Sequence, residues 1–255
     1  MPERRLKVTL AYDGTGFHGW QVQPGLETVQ GTLGRAQGTL GRALAEIEGR
    51  PVHVDGSGRT DAGVHALAQV AAFSLANPIP PPNLKKALNR LLPNSIRILA
   101  VEEAAADFHP RYAARSKTYE YRIFRGEVCS PFEWRYVYHY PYPLDVERMA
   151  VAAPRLEGAH DFSAFAAPDE PDRPGESKVR TVFRSRGETA GDRFLYRVRG
   201  SGFLKHMVRN IVGTLIEIGK GNLGEADLDA LLSAREKKAG PAAPARGLFL
   251  VEVEY

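Results

Sequence analysis

The chain is poor in sulfur. One cysteine, Cys129, and three methionines stand among 255 residues, which excludes an internal disulfide framework and any Cys-x-x-Cys zinc or redox pair. Long apolar runs are missing as well: none nears the ~18 residues of a membrane-spanning helix. The start, Met-Pro-Glu-Arg-Arg-Leu-Lys, has no apolar segment behind its charges. These absences predict a cytoplasmic chain with no membrane partner. Phosphate-loop, zinc-protease and zinc-deaminase patterns are absent, and the seven histidines show no ligand spacing. No metal is therefore expected. Gly14-Thr15-Gly16-Phe17-His18-Gly19 fits Gly-x-Gly-x-x-Gly, but turn-like residues 20–25 follow it, so no helix N-terminus awaits a pyrophosphate. No acid stands about 20 residues on for a ribose either.

What is present is ordinary for a globular protein: 43% apolar and 25% charged residues, with a net charge of +4. The charge is lopsided. Between Lys178 and Arg209 lie nine basic residues and two acids, a local +7. Seven of the nine are arginines, whose planar fork suits phosphates and stacks on bases. A solvated basic face would explain them, but their alternation with Phe183, Phe194 and Tyr196 fits a nucleic-acid surface better.

Hydrophobic periodicity predicts strands over 6–12, 51–55, 67–73 and 95–101, and helices over 29–48, with Thr28 as N-cap, and 83–92, capped by Asn83. The order is strand, helix, strand, strand, helix, strand, a ferredoxin-like plan. After a junction near 103–108 a similar order returns. Strands are expected over 117–124 and 135–140, a helix over 145–156 capped by Asp145, and strands over 179–186 and 193–199. Helices over 204–218 and 225–234 and a strand over 247–253 follow. The expected class is α+β, with two similar halves, 1–105 and 106–255, mainly antiparallel sheets and a cleft between them. Residues 168–177 have the composition of a mobile loop. Residues 31–37 are repeated almost verbatim as 38–44. Seven residues are nearly two helical turns, so this insertion is expected to lengthen the helix outward while rotating its face by only ~20°.

The segment Arg59-Thr60-Asp61-Ala62-Gly63-Val64-His65-Ala66 places a carboxylate and a guanidinium on a glycine-bounded loop ahead of a strand. Taken alone, it could be a loop ion pair of little consequence. Tyr119 and Tyr121 share one strand face, which alone is ordinary sheet packing. Upstream, Phe108-His109-Pro110-Arg111-Tyr112 mixes aromatic and cationic groups that can stack bases and grip phosphates. In 203–213, helical spacing groups Leu204, Met207 and Ile211 as core and sets Lys205, His206, Arg209 and Asn210 on a polar stripe.

Taken in order, Tyr12-Asp13-Gly14 with Gly19-Trp20-Gln21, Thr28-Val29-Gln30, the segment 59–66, Phe108–Tyr112, the Tyr119 strand, Lys205–Asn210 and Gly247-Leu248-Phe249-Leu250 resemble the tRNA pseudouridine synthase A family over essentially the whole chain. The resemblance implies a homodimeric, cofactor-free isomerase that turns uridine into pseudouridine at tRNA positions 38 to 40. It makes Asp61 the nucleophile. Tyr119 would pack on the target uracil, and Arg209 would pair with Asp61 and keep it ionised. Arg59 would hold the RNA and fill the space left by the flipped nucleotide, and Leu250 would line the base pocket. Phe108, His109, Pro110, Arg111 and Tyr112 would contact tRNA, as would Val179, Arg180, Thr181, Val182 and Phe183, with Lys205 among the RNA-binding residues. The seven-residue repeat departs from the family pattern. An inert RNA-binding protein is the alternative, although binding alone needs no buried carboxylate. A glycoside hydrolase would want a second acid ~5–9.5 Å from the first, and none stands out.

Overall fold

The computed structural model describes residues 3–30, 39–167, 177–233 and 239–255. The chain clusters into two compact units, Met1–Arg115 with Phe249–Tyr255, and Ser116–Leu248. The first unit runs β1 (Arg4–Tyr12), α1 (Thr39–Glu48), β2 (Asp55–Gly56), β3 (His65–Leu75), α2 (Pro81–Leu91) and β4 (Ile96–Glu103). The second runs β5 (Ser116–Phe124), β6 (Tyr138–His139), α3 (Val146–Ala152), β7 (Gly158–Asp161), β8 (Val179–Ala190), β9 (Arg193–Gly200), α4 (Met207–Gly219) and α5 (Glu225–Leu232). The last strand, β10 (Leu248–Glu254), lies mostly in the first unit. The class is α+β with mostly antiparallel pairing.

In the first unit β1 pairs antiparallel with β3 and β4, while β2 lies on β3, giving the strand order 4-1-3-2 of a ferredoxin-like half. The sequence dictates the inner face: Leu6, Val8 and Leu10 alternate along β1 and are fully buried. Leu6 stands opposite Phe73 and Val8 opposite Ala71. Helix α2 adds Leu84 and Leu88, one turn apart and fully buried, each contributing about 1.5–3 kcal/mol. It begins at Pro81 with Pro80 as N-cap and no side-chain cap. The cap expected at Asn83 is thus displaced, because proline fits the first turn, where its missing N–H has no partner to lose.

The first described residues of α1 bond back to the segment that precedes the repeat. The N–H groups of Thr39, Leu40 and Gly41 donate to the carbonyls of Thr28, Val29 and Gln30, eleven positions back. Thr28 is fully buried and its hydroxyl makes no hydrogen bond. The expected outward extension of the helix falls on 31–38, outside the described residues, as do most of the 168–177 loop and Ala234 at the end of the predicted 225–234 helix.

In the second unit the strand order is β5-β9-β8-β7, antiparallel throughout, with β6 parallel on β5. Asp145 caps α3, accepting the N–H of Arg148. Two expected strands shrink: 51–55 to Asp55–Gly56 and 135–140 to Tyr138–His139, while β7 was not anticipated. Helix α4 is buried on almost every side, only Arg209 and Glu217 keeping partial exposure. Its start is Met207, after His206 in a left-handed conformation (φ 61°), so Lys205 precedes the helix rather than sharing its stripe with Arg209. No helix among the described residues is long and apolar enough to cross a membrane.

Candidate active site

Asp61 sits in a tight turn. Its carbonyl accepts the N–H of Val64, and Gly63 at the third position has φ 77°, the geometry of a type II turn that glycine makes without strain. The carbonyl just before it, on Thr60, accepts the N–H of Trp20 at 3.0 Å. Both peptides flanking Asp61 are therefore anchored.

The anchor is the N-terminal box. Gly63 N–H donates to Phe17 O, and Gly14 N–H donates to Nδ1 of His65 at 3.0 Å. His65 is buried and stacks on Phe249 at 4.7 Å. A β-carbon on Gly14 would overlap the Val64 carbonyl, and one on Gly19 (φ 92°) would lie 2.7 Å from Thr60 O. Of the three glycines that mimic a dinucleotide fingerprint, Gly14 and Gly19 let this box lie against the Asp61 loop.

Beneath the loop lies a buried polar chain. Tyr12 Oη is 2.8 Å from Thr60 Oγ1, Gln69 Nε2 reaches Tyr12 Oη at 3.4 Å and Gly58 O at 3.1 Å, and Ser57 Oγ donates to Gln69 Oε1 at 2.5 Å. All four side chains are buried. Burial pushes the Tyr12 phenol up to about 12, against the smaller opposite effect of its bonds to Thr60 and Gln69. None of this brace is legible in the sequence, because its members lie far apart along the chain.

Of the other expected residues in this unit, Arg59 is exposed next to the loop and Leu250 is fully buried. Leu250 pairs in parallel register with Ala66, directly after the loop. The Phe108–Tyr112 segment is fastened at two carbonyls. Arg5 Nε donates to Phe108 O at 3.1 Å, and Tyr255 Oη donates to Pro110 O at 2.9 Å. Phe108 packs on Tyr255 and His109 on Tyr112, which is exposed and has the Arg111 guanidinium 5.9 Å from its ring centre. Asp55 accepts from Arg5 at 2.7 Å and lies 2.9 Å from His53 Nε2. Burial would raise its carboxyl, but these partners outweigh that and hold it below the usual range.

In the second unit Tyr119 is buried on β5, its ring edge-on to Phe203 at 5.2 Å. Arg209 in the first turn of α4 donates Nε to Ala243 O at 2.8 Å, and its own carbonyl accepts the Ala243 N–H. Gly213 admits that contact, since a β-carbon there would overlap the Pro241 carbonyl. Asn210 is buried and donates to Phe165 O, so the polar stripe is structural at that position. Lys205 gives its carbonyl to Ala167 N–H.

The basic window is less free than its charge suggests. Arg186 bonds Glu157, Arg193 bonds Glu133, and Arg197 bonds Glu120 at 2.5 Å. Among the described residues, Arg180 bonds the carbonyls of Ser177 and Val179. Thr181 is half-buried and Val182 buried, while Val179 and Phe183 are exposed. The β8–β9 register shifts between Val182 and Arg184, a bulge that sets Phe183 and Arg184 both outward. The Arg199 guanidinium lies 5.6 Å from the Phe183 ring centre. A cation and an exposed ring so placed can grip phosphate and stack a base. Among the described residues no three His, Cys, Asp or Glu side chains gather where they could hold a metal ion.

Comparison with known proteins agrees with this geometry. Residues 9–113 and 152–255 match the family model described as tRNA pseudouridine synthase. A tRNA pseudouridine synthase A of Solibacter usitatus is 64% identical over 252 residues, covering 99% of this chain and all of the relative. Proteins of the same name from Lacticaseibacillus casei and Moorella thermoacetica are each 46% identical, over 98% of this chain and 98% and 99% of their own lengths.

Proposed function

The chain belongs to the tRNA pseudouridine synthase family, and from that membership we infer that Asp61 is the nucleophile of an isomerase acting on uridine in tRNA. In this reaction the C1′–N1 bond breaks, the uracil rotates and C5 bonds to C1′; the C5 proton leaves and N1 gains one. No redox change and no group donor are involved. The observation that supports Asp61 best is its anchoring: a carboxylate whose two flanking carbonyls are both hydrogen-bonded can be aimed without reorganisation. It can attack C1′, add to C6 or remove a sugar proton. Tyr119 is the proposed partner of the flipped uracil, Arg209 the cation proposed to pair with Asp61, and Leu250 the apolar wall of the base pocket. Arg59, Phe108–Tyr112, Val179–Phe183 and Lys205 are the proposed tRNA contacts, and positions 38 to 40 of the anticodon arm the proposed targets, reached in the cytoplasm.

The test is tritium release from C5-labelled uridine in unmodified tRNA, mapped by position, with Asp61→Asn alongside. Release from the anticodon arm that Asp61→Asn abolishes while tRNA affinity persists is the expected result. Release that survives in Asp61→Asn refutes the assignment of the nucleophile. The proposed assembly is a homodimer, supported by the exposure of Val128, Phe132 and Trp134 on the second unit. Sedimentation at a monomer's mass refutes it.

A further inference from the structure

We propose that Tyr12 is a positioning residue for the reaction, acting through Thr60 on the Asp61 loop; this rests on Asp61 being the nucleophile. The polar chain beneath that loop has a direction, and the direction follows from the partners at each end. Val70 N–H donates to Gln69 Oε1 at 3.1 Å, and so does the Ser57 hydroxyl. The amide nitrogen must then face the other way, where the Gly58 carbonyl can only accept. The same nitrogen points at Tyr12 Oη, which therefore receives a hydrogen and turns its own toward Thr60 Oγ1, 2.8 Å away.

Each link is forced by the one before it, since every member is buried and water is not available as a substitute partner. Burial keeps the Tyr12 phenol protonated up to about 12, so it acts across the working pH range as a donor and takes no part as acid or base. Its target is the residue directly ahead of Asp61. Thr60 is held at its side chain by Tyr12 and at its carbonyl by Trp20, and the next carbonyl by Val64. Removing the first of these lets the 60–61 peptide tilt, and displacements of about 1 Å cost up to ~100-fold in rate. The brace reaches the 108–112 segment only at its far end, through Ser57 and the Tyr255 hydroxyl, so loss of the Tyr12–Thr60 bond should spare affinity for tRNA.

Steady-state tritium release from C5-labelled tRNA, together with tRNA Kd, tests this on Tyr12→Phe, Thr60→Val, Thr60→Ser and the Tyr12→Phe/Thr60→Val pair, with Asp61→Asn as reference. We expect kcat to fall about tenfold in Tyr12→Phe and in Thr60→Val, with KM and Kd unchanged. The double variant should fall no further than either single, because both delete one bond. Thr60→Ser, which keeps the hydroxyl, should stay near the parent. An unchanged kcat in folded Thr60→Val, a loss confined to KM, or losses that multiply in the double variant overturns the proposal. If Tyr12→Phe does not fold, the Thr60→Val and Thr60→Ser comparison decides alone. Turnover surviving in Asp61→Asn overturns the nucleophile itself. A dead Asp61→Asn beside a fully active Tyr12→Phe overturns only the positioning role.

Discussion

Gly14 lies against Val64 so closely that a β-carbon on the glycine would overlap the Val64 carbonyl oxygen. Two residues on, Gly16 has nothing within 4 Å of the same position. The pair is an internal control for how the N-terminal box supports the Asp61 turn. Gly14→Ala must move either the box or backbone at the end of the turn, and overpacking against fixed backbone costs about 1–3 kcal/mol. Gly16→Ala should be neutral within ~0.5 kcal/mol. Thermal melts and tritium release on both variants check this, with loss of Tm and turnover expected in the first only. Equal behaviour of the two would mean the close contact does not constrain the loop.

The repeating parts of the fold were legible because they are local. Leu6, Val8 and Leu10 announce β1 by alternation, and Asp145 announces α3 by its cap. Strand β7, Gly-Ala-His-Asp, has no apolar alternation and exists because β8 pairs with it, so no window of sequence could show it. The site divides in the same way. Asp61 stands in a contiguous motif, whereas its brace joins Tyr12 to residues 48 and 57 positions away. The arginines of β8 and β9 were visible as charge. The acids that occupy three of them, Glu120, Glu133 and Glu157, lie 77, 60 and 29 positions off, so the window overstated its free charge.

Glu120 makes the stability of the second unit sensitive to acid. It sits on β5 opposite Arg197 and accepts from Arg197 and Arg122. Burial alone would raise its carboxyl, but the two guanidiniums outweigh it and hold the folded value below the ordinary 4.5. A depressed folded value means the ion pair's contribution is complete above about 4.5 and is lost as pH falls through the folded value. Tm measured against pH should therefore drop below pH ~4.5 in the parent, with a shallower drop in Glu120→Gln. That variant should also be less stable at neutral pH, by about 1–2 kcal/mol, since two cations lose their carboxylate. Parallel Tm curves would show that Glu120 does not carry this acid response.

Tyr255 separates binding from turnover. Its hydroxyl fastens Pro110 and also bonds Ser57 at the far end of the buried polar chain; its ring packs on Phe108, in the segment proposed to meet tRNA, and it makes none of the Asp61 turn's own bonds to residues 17 and 20. Tyr255→Phe deletes the hydroxyl's bonds to Pro110 and Ser57. Losing the Pro110 bond, about 1 kcal/mol, should weaken tRNA Kd about fivefold, while kcat at saturating tRNA holds because the Tyr12–Thr60 bond stays in place. Filter binding and saturating turnover measure the two quantities. A fall in kcat with unchanged Kd would reverse the assignment and make Tyr255 part of the catalytic support.

The start of α1 predicts that the repeat is dispensable. Thr39, Leu40 and Gly41 already donate to Thr28, Val29 and Gln30 at a spacing of eleven. Deleting residues 32–38 reduces that spacing to four, the register of an α-helix, with every donor and acceptor unchanged. Because 31–36 and 38–43 are identical in sequence, removing 31–37 instead yields the same protein, so the outcome does not depend on which copy is regarded as inserted. Closing the shorter connection costs less entropy. The shortened chain should therefore keep full turnover and melt at the same or a higher temperature. Lower Tm or lost activity would show that the seven residues contribute to the enzyme beyond the helix they precede.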